Sequence, residues 1–314
     1  MSVVALNYRT PERTARAIEC LAGVAPSTKM EVIVVDNASG DGSAEMIRRL
    51  QPSARVVETP TNLGFAAGMN AGIRQSSGEY ILLLNSDIEA CPGSIEALLG
   101  YLEEHRDVGL AAPKLIGSDG SVSRTLLVEP TVWRIFVPGL GKSRYKQWCR
   151  RLSDQPLHVE ATEGAAVIVR RDAVERAGLL DEDFFFYHEI VEWCMRMRDH
   201  GLGVVVVPQS VMVHACGGTS SGMMRAARVE LKRSEYQLIR KRLGAGICRA
   251  AITRDFVSEG LSVVYYGSAV ALGLGRSARS REKLDVHRAV WYWLIHAMPS
   301  RENSGYRKVL GEWG

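Results

Sequence analysis

No pair of cysteines in this 314-residue chain follows a CxxC pattern, and none stands at a zinc-site spacing from a histidine. Cys20, Cys91, Cys149, Cys194, Cys216 and Cys248 therefore read mostly as free thiols of a reducing compartment. The first residues run straight into Val3-Val4-Ala5-Leu6 without a basic n-region or cleavage site, so no secretory signal is expected. Asn37-Ala38-Ser39 then reads as a turn and not as a glycosylation site. The longest uncharged, mostly apolar stretch, residues 260–275, holds several glycines and is too short to span a bilayer comfortably; a peripheral contact is the most it supports. The GxGxxG pattern of dinucleotide oxidoreductases is missing too, because Gly64, Gly68 and Gly72 fall four apart. Gly139-Leu140-Gly141-Lys142-Ser143 imitates the end of a phosphate-binding loop, but Phe136 holds the place of its first glycine and no buried strand precedes it. Basic patches without interleaved aromatic platforms exclude a nucleic-acid signature. There is no internal repeat and no low-complexity tract.

What is present is an ordinary soluble composition, 46% apolar and 24% charged, long enough for one large domain or one domain with an appendage. Charge is unevenly spread. Residues 221–314 hold 17 Lys+Arg against 8 Asp+Glu, whereas residues 1–220 hold 22 against 27. The basic C-terminal region can face anionic lipid or an acidic ligand, or simply be a set of solvated helix faces.

Strands and helices alternate over the first hundred residues, the pattern of a mostly parallel sheet flanked by helices. Strands are expected over 3–6, 32–35, 56–57 and 80–84. Helices are expected over 11–21, with Thr10 as cap and Pro11 at the first helical position, and over 42–50, 68–76 and 93–104. Beyond residue 105 the rhythm changes. Strands are expected at 110–112, 121–127, 165–170 and 204–207, a Gly- and Lys/Arg-rich loop over 138–151, and helices over 172–177, 184–198 and from about 222 onward, 225–243 being the clearest.

Two central strands stop at carboxylates, Asp36 and Asp87, and the C-terminal ends of parallel strands face one ligand-binding crevice. A nucleotide diphosphate-sugar needs an acceptor for a base N–H, a divalent cation on the diphosphate and a base for the attacking hydroxyl. Asp36 can supply the first and Asp87 the ligand for the second, with His214 as a further metal or phosphate ligand. The glycines and hydroxyls of Gly217-Gly218-Thr219-Ser220 suit phosphate oxygens. Phe184 to Phe186, Tyr187 and Trp193 can stack on a sugar or fill core.

Leu6-Asn7-Tyr8, Val34-Val35-Asp36-Asn37-Ala38-Ser39 with Asp41-Gly42-Ser43, Asn62-Leu63-Gly64-Phe65-Ala66-Ala67-Gly68-Met69-Asn70-Ala71-Gly72 and Leu83-Leu84-Asn85-Ser86-Asp87 occur in that order. Gly164-Ala165, residues 184–194 and His214 with Gly217-Gly218 follow. Together they resemble an inverting glycosyltransferase of family 2, in its rhamnosyltransferase-like branch, over roughly residues 2–220. The resemblance implies an α/β GT-A (nucleotide-diphospho-sugar transferase) fold. Its catalytic domain would span 1–220, with a nucleotide-binding half over about 1–105 and an acceptor-side half over about 106–220, followed by a basic, mainly helical region over 221–314.

It also implies roles. Asp36 reads uracil or thymine. Asn7, Tyr8, Asn37, Asn62, Gly64, Phe65, Asn70, Asn85, Ser86, Gly164, Ala165, Gly217 and Gly218 line the donor pocket, and Asp87 and His214 hold Mg2+ or Mn2+. Asn85 replaces the first acid of the usual Asp-x-Asp. Glu163, Tyr187, His188 and Trp193 lie toward the acceptor. One departure matters: where the family reads Tyr-x-Glu-Asp-x-Asp, this chain has Tyr187-His188-Glu189-Ile190-Val191-Glu192, and Ile190 cannot accept a proton. Glu189 is the first candidate base; Glu192, His188, Asp181 and Asp183 rank behind it, and Glu192 can instead pair with Arg196 at i, i+4. An acceptor needing less deprotonation, such as an amine, is another solution.

The activity so implied is transfer of a sugar, rhamnose or another deoxyhexose, from a dTDP- or UDP-donor to a glycan, lipid-linked or small-molecule acceptor with inversion. The protein would be cytoplasmic, able to dock peripherally on the inner face of the membrane, and able to form a homodimer. Two rivals remain: a non-catalytic sugar-nucleotide- or glycan-binding relative that lost its base, and a sugar nucleotidyltransferase. The latter lacks its Gly-rich, Arg- and Lys-bearing loop after the first strand.

Overall fold

The computed structural model describes residues 1–25, 28–123, 125–137, 139–140, 143, 145–146, 155–215, 223–272 and 278–296. The expected loop over 138–151 falls largely outside them, as do Gly217, Gly218, Thr219 and Ser220. The chain divides into two compact units, Met1–Glu129 with Pro138–Cys216, and Pro130–Val137 with Gly217–Gly314.

In the first unit β1 (Ser2–Asn7), α1 (Pro11–Val24), β2 (Glu31–Asp36), α2 (Ser43–Leu50), β3 (Arg55–Glu58), α3 (Gly64–Gln75) and β4 (Tyr80–Asn85) alternate. Strands β3, β2, β1 and β4 lie side by side and parallel. β1 and β4 are buried along nearly their whole length, which is why both read as unbroken apolar runs. Register aligns their polar ends: Asn7 pairs with Asp36, and Leu6 with Asn85. Next come β5 (Ile88–Ala90), α4 (Ser94–Glu104), β6 (Val108–Ile116), β7 (Leu126–Leu127), β8 (Leu157–His158), β9 (Ala161–Thr162), β10 (Ala166–Arg170), α6 (Arg171–Ala177), α7 (Glu189–Asp199) and β11 (Gly203–His214). β10 enters antiparallel between β4 and β6, so the sheet is mixed, and β11 runs parallel to β6. A register shift between Val207 and Val211 brackets Pro208, whose missing N–H cannot serve a ladder.

Several expectations are corrected. Thr10 makes no side-chain cap, although Pro11 does occupy the first turn. α3 starts at Gly64, not Gly68; Gly64 sits at φ +81, where a side chain would be strained, and a Cβ there would lie 2.3 Å from the Phe185 carbonyl oxygen. Of the strand expected over 121–127, only Leu126–Leu127 and a bridge from Val122 to Ile116 pair among the described residues. The helix expected over 184–198 starts at Glu189 because Tyr187 and His188 adopt φ of 68° and 64°, left-handed values that interrupt a right-handed helix.

The second unit holds α5 (Val132–Phe136), α8 (Met223–Leu243), α9 (Ala245–Ala271) and α10 (Ala278–His296). Ile135, Val229, Tyr236, Ile239, Ala251 and Val290 are among the residues that form its core. The segment 130–137, expected within the catalytic domain, thus belongs with the C-terminal helices, and the Arg254 guanidinium donates to the Ile135 carbonyl. Within this unit Lys232 Nζ and Tyr236 Oη both donate to the buried Asp255, at 2.8 Å each. Among the described residues no helix is long and apolar enough to cross a membrane.

Candidate active site

Strand ends β2 and β1 place Asp36 beside Asn7, and Asp36 is 3% exposed. Its Oδ1 accepts from Asn7 Nδ2 and from Ser39 Oγ, both at 2.6 Å, and its Oδ2 accepts the Ser39 backbone N–H at 3.1 Å. A carboxylate has about four lone-pair sites, and these bonds occupy three of them. Ser39 Oγ also accepts from the Arg9 backbone N–H at 2.9 Å. In the sequence Ser39 reads as a turn residue and as part of the Val34–Ser39 motif, with no role of its own; a hydroxyl three positions after a strand-end aspartate is the signal that identifies it. Nearby, the exposed Tyr8 ring lies 5.2 Å from the Arg9 guanidinium.

Asn37 and Asn62 build the adjacent wall. Asn37 Nδ2 donates to Asn62 Oδ1 and to the Gly64 carbonyl, both at 3.0 Å, while Asn62 Oδ1 accepts the Gly64 N–H at 2.9 Å. Phe65 N–H donates to the Phe185 carbonyl at 2.6 Å, tying α3 to the turn before Glu189. Asn70 is a correction. It is wholly buried, donates to the Leu180 carbonyl at 2.8 Å and to Glu182 at 2.9 Å, and accepts the Leu180 N–H at 3.1 Å. Its amide is engaged by protein at both ends.

The short strand β5, absent from the sequence reading, explains how His214 reaches Asp87. β5 pairs antiparallel with β11, Ile88 opposite His214, and the Ala215 N–H donates to the Asp87 carbonyl at 3.0 Å. His214 Nε2 lies 3.3 Å from Asp87 Oδ2. The hydrogen bond to Asp87 raises the imidazole pKa; burial opposes it, and the charges of Asp87 and, last, Glu163 add to the rise. The pair therefore attracts positive charge. His214 Nδ1 is buried without a hydrogen-bond partner among the described residues.

One carboxylate and one imidazole fit a divalent cation that takes its other ligands from diphosphate and water. Among the described residues no cluster of three His, Cys, Asp or Glu forms a cage by itself. Next to Asp87, Ser86 Oγ accepts from Thr10 Oγ1 at 3.4 Å, and the Asn85 N–H donates to the Ala165 carbonyl at 2.9 Å, which sets Glu163-Gly164-Ala165 beside the β4 end.

On the acceptor side, Glu189 opens α7 and is buried. The Glu192 N–H closes the first turn on the His188 carbonyl. Ile190 packs against Gly164, where a Cβ would lie 2.4 Å from Ile190 Cγ1. Two expectations change here. Glu192 Oε2 accepts from Arg196 Nε at 2.7 Å, and the same guanidinium donates to the Ala177 and Leu179 carbonyls, so Glu192 anchors α7. Trp193 is 0% exposed and donates Nε1–H to the Gly178 carbonyl at 2.7 Å, the setting of a core indole. Phe186, exposed, lies 4.3 Å from Tyr187 by ring centroids and offers the aromatic surface that Trp193 does not.

The model of the family described as glycosyl transferase family 2 matches residues 2–171. The chain is 28% identical over 234 residues to an N-acetylglucosaminyl-diphospho-decaprenol L-rhamnosyltransferase of Mycobacterium tuberculosis, covering 68% of this chain and 75% of the relative. It is 24% identical over 193 residues to the dTDP-rhamnosyl transferase RfbF of Shigella flexneri, covering 60% and 61%. Among solved structures it resembles the mannosyltransferase PcManGT from Pyrobaculum calidifontis, in complex with GDP-Man and Mn2+, with a TM-score of 0.59 and 16% identity over 96% of this chain and 87% of that one. That likeness is one of GT-A fold.

Proposed function

The chain belongs to glycosyl transferase family 2, and from that premise we propose that this glycosyltransferase moves a deoxyhexose such as rhamnose from a dTDP- or UDP-sugar, with inversion. The two rhamnosyltransferase relatives support the donor. The observation that carries the reading is the alignment of the Asp36 and Asn85 strand ends on either side of Asn7, with Asp87 and His214 meeting beside them.

In this reading the remaining acceptor site of Asp36 takes the N–H of a pyrimidine base, while Asn7 and Ser39 hold the carboxylate in place. Tyr8 offers an exposed ring against which the nucleotide can stack. Asp87 and His214 would hold Mg2+ or Mn2+, whose charge stabilises the departing diphosphate. Glu189 would take the proton of the acceptor hydroxyl as it attacks from the face opposite the leaving group. The strained turn at Tyr187 and His188 fixes where Glu189 enters the site.

The acceptor would be a glycan, a lipid-linked sugar or a small molecule. Structures of the full chain with dTDP or UDP and Mn2+ test the donor site: nucleotide is expected against Asp36 and Asp87, and nucleotide bound elsewhere overturns the proposal. A mass-spectrometric screen of nucleotide sugars identifies the donor from the sugar transferred or hydrolysed. A second reading, binding without catalysis, draws on Ile190, which fills the space against Gly164 with a group that cannot take a proton.

A further inference from the structure

Asn37, the residue after Asp36, is buried and commits its whole side-chain amide to one loop. Its Oδ1 accepts the Leu63 N–H at 2.9 Å and the Thr59 hydroxyl at 3.1 Å, and its Nδ2 donates to Asn62 Oδ1 and to the Gly64 carbonyl. The end of β2 thereby fixes Gly64. Gly64 in turn lies against Phe185: a Cβ on it would stand 2.3 Å from the Phe185 carbonyl oxygen and 2.9 Å from the carbonyl carbon, and the Phe65 N–H donates to the same oxygen. Only glycine permits this approach.

A second glycine closes on the far side of Glu189. Ile190 rests on Gly164, and the neighbouring Ala165 carbonyl accepts the Asn85 N–H at the end of β4. Between the two contacts stand Tyr187 and His188, at φ of 68° and 64°. Left-handed residues that carry side chains store strain and persist where their surroundings hold them. Here the hold comes from two strand ends of the donor side, β2 through Gly64 and β4 through Gly164. Ile190 thus has a task at the place of the family's acid: its apolar side chain seats the first turn of α7 on Gly164, where a carboxylate would be buried at a cost.

We infer that Gly64 and Gly164 are positioning residues, which fix where Glu189 stands relative to the donor by building the start of α7 on the ends of β2 and β4. The inference rests on Glu189 as the proposed base. Gly64→Ala forces Phe185 away, and a displacement of about 1 Å at the base should lower turnover of dTDP-rhamnose by the full chain with Mn2+, followed as dTDP release, roughly 100-fold. In the Glu189→Gln background the same substitution should cost less than about twofold, because the group it displaces is gone. Gly164 has no left-handed φ, so Gly164→Ala keeps an ordinary backbone conformation. It should lower turnover roughly tenfold, and adding Ile190→Ala, which removes the Cγ1 and Cδ1 atoms that the new methyl meets, should restore it. Losses that multiply in the Glu189→Gln background overturn the inference and leave Glu189 as the base, as does failure of Ile190→Ala to rescue. Full turnover by Glu189→Gln removes the base assignment, and the inference with it. Crystal structures of the unmodified chain and of Gly64→Ala with dTDP and Mn2+ give a readout that needs no turnover: the backbone of Tyr187 to Glu189 should move by about 1 Å, and an unmoved backbone overturns the inference.

Discussion

Asp36 and Glu192, two buried carboxylates of the sheet unit, are held in different ways. Asp36, at the end of β2, is fixed by neutral donors: the Asn7 amide, the Ser39 hydroxyl and the Ser39 backbone N–H. Glu192 is matched to an arginine, Arg196, as Glu129 is to Arg198 and Glu182 to Arg74. Neutral donors orient a carboxylate and leave its negative charge for a ligand; an arginine consumes both its geometry and its charge. The difference separates residues that can work on a substrate from residues that hold the frame, and it places Glu192 in the frame.

The strongest test of that contrast is Asp87→Ala. If Asp87 holds the cation as proposed, it should lower transfer by about 10⁴-fold, because the diphosphate would lose that cation. Chelation should lower the unmodified protein comparably, with Mn2+ restoring it and not the variant; activity that survives both treatments breaks the assignment. Next in size, Glu189→Gln should lower kcat by about 10³-fold while nucleotide affinity, measured by calorimetry, stays unchanged. If Glu192→Gln gives the larger kcat loss instead, the base has been misplaced.

Much of the donor side is legible in the sequence for a physical reason. Strands buried on both faces become apolar runs, and each run stops where the crevice begins, at Asn7, Asp36 and Asn85. The missed pieces are those set by tertiary contact. β5 is three residues long and exists through its pairing with β11, so no periodicity announces it. The start of α7 is decided by left-handed Tyr187 and His188, a conformation that no glycine announces in the sequence there. Trp193 looked like a stacking surface because composition cannot distinguish a core indole from a binding one; its burial and its bond to the Gly178 carbonyl do.

Ile190→Asp probes the acceptor side by restoring the acid that the family pattern has there. Ile190 is 3% exposed and packed on Gly164, so a carboxylate at this position is withdrawn from water. A destabilisation of about 3 kcal/mol is expected, read by denaturant unfolding, with no gain in transfer. Transfer that arises only in this variant would instead establish the binding-without-catalysis reading.

The finest comparison is between two residues that share Glu182. Asn70 is buried and reaches the Leu180 carbonyl, the Leu180 N–H and Glu182, whereas Arg74, about half exposed, meets Glu182 at 2.6 Å from solvent. Asn70→Ala leaves a buried backbone donor and acceptor without their side-chain partner, a cost of about 2 kcal/mol. Arg74→Ala removes an exposed ion pair and should cost about 0.5 kcal/mol. Donor KM should stay the same in both, since the amide and the guanidinium are each engaged by protein groups, Leu180 and Glu182. A donor KM raised tenfold in Asn70→Ala alone, at unchanged kcat, would return Asn70 to the donor pocket and show that its bonds to Leu180 position a surface the nucleotide touches.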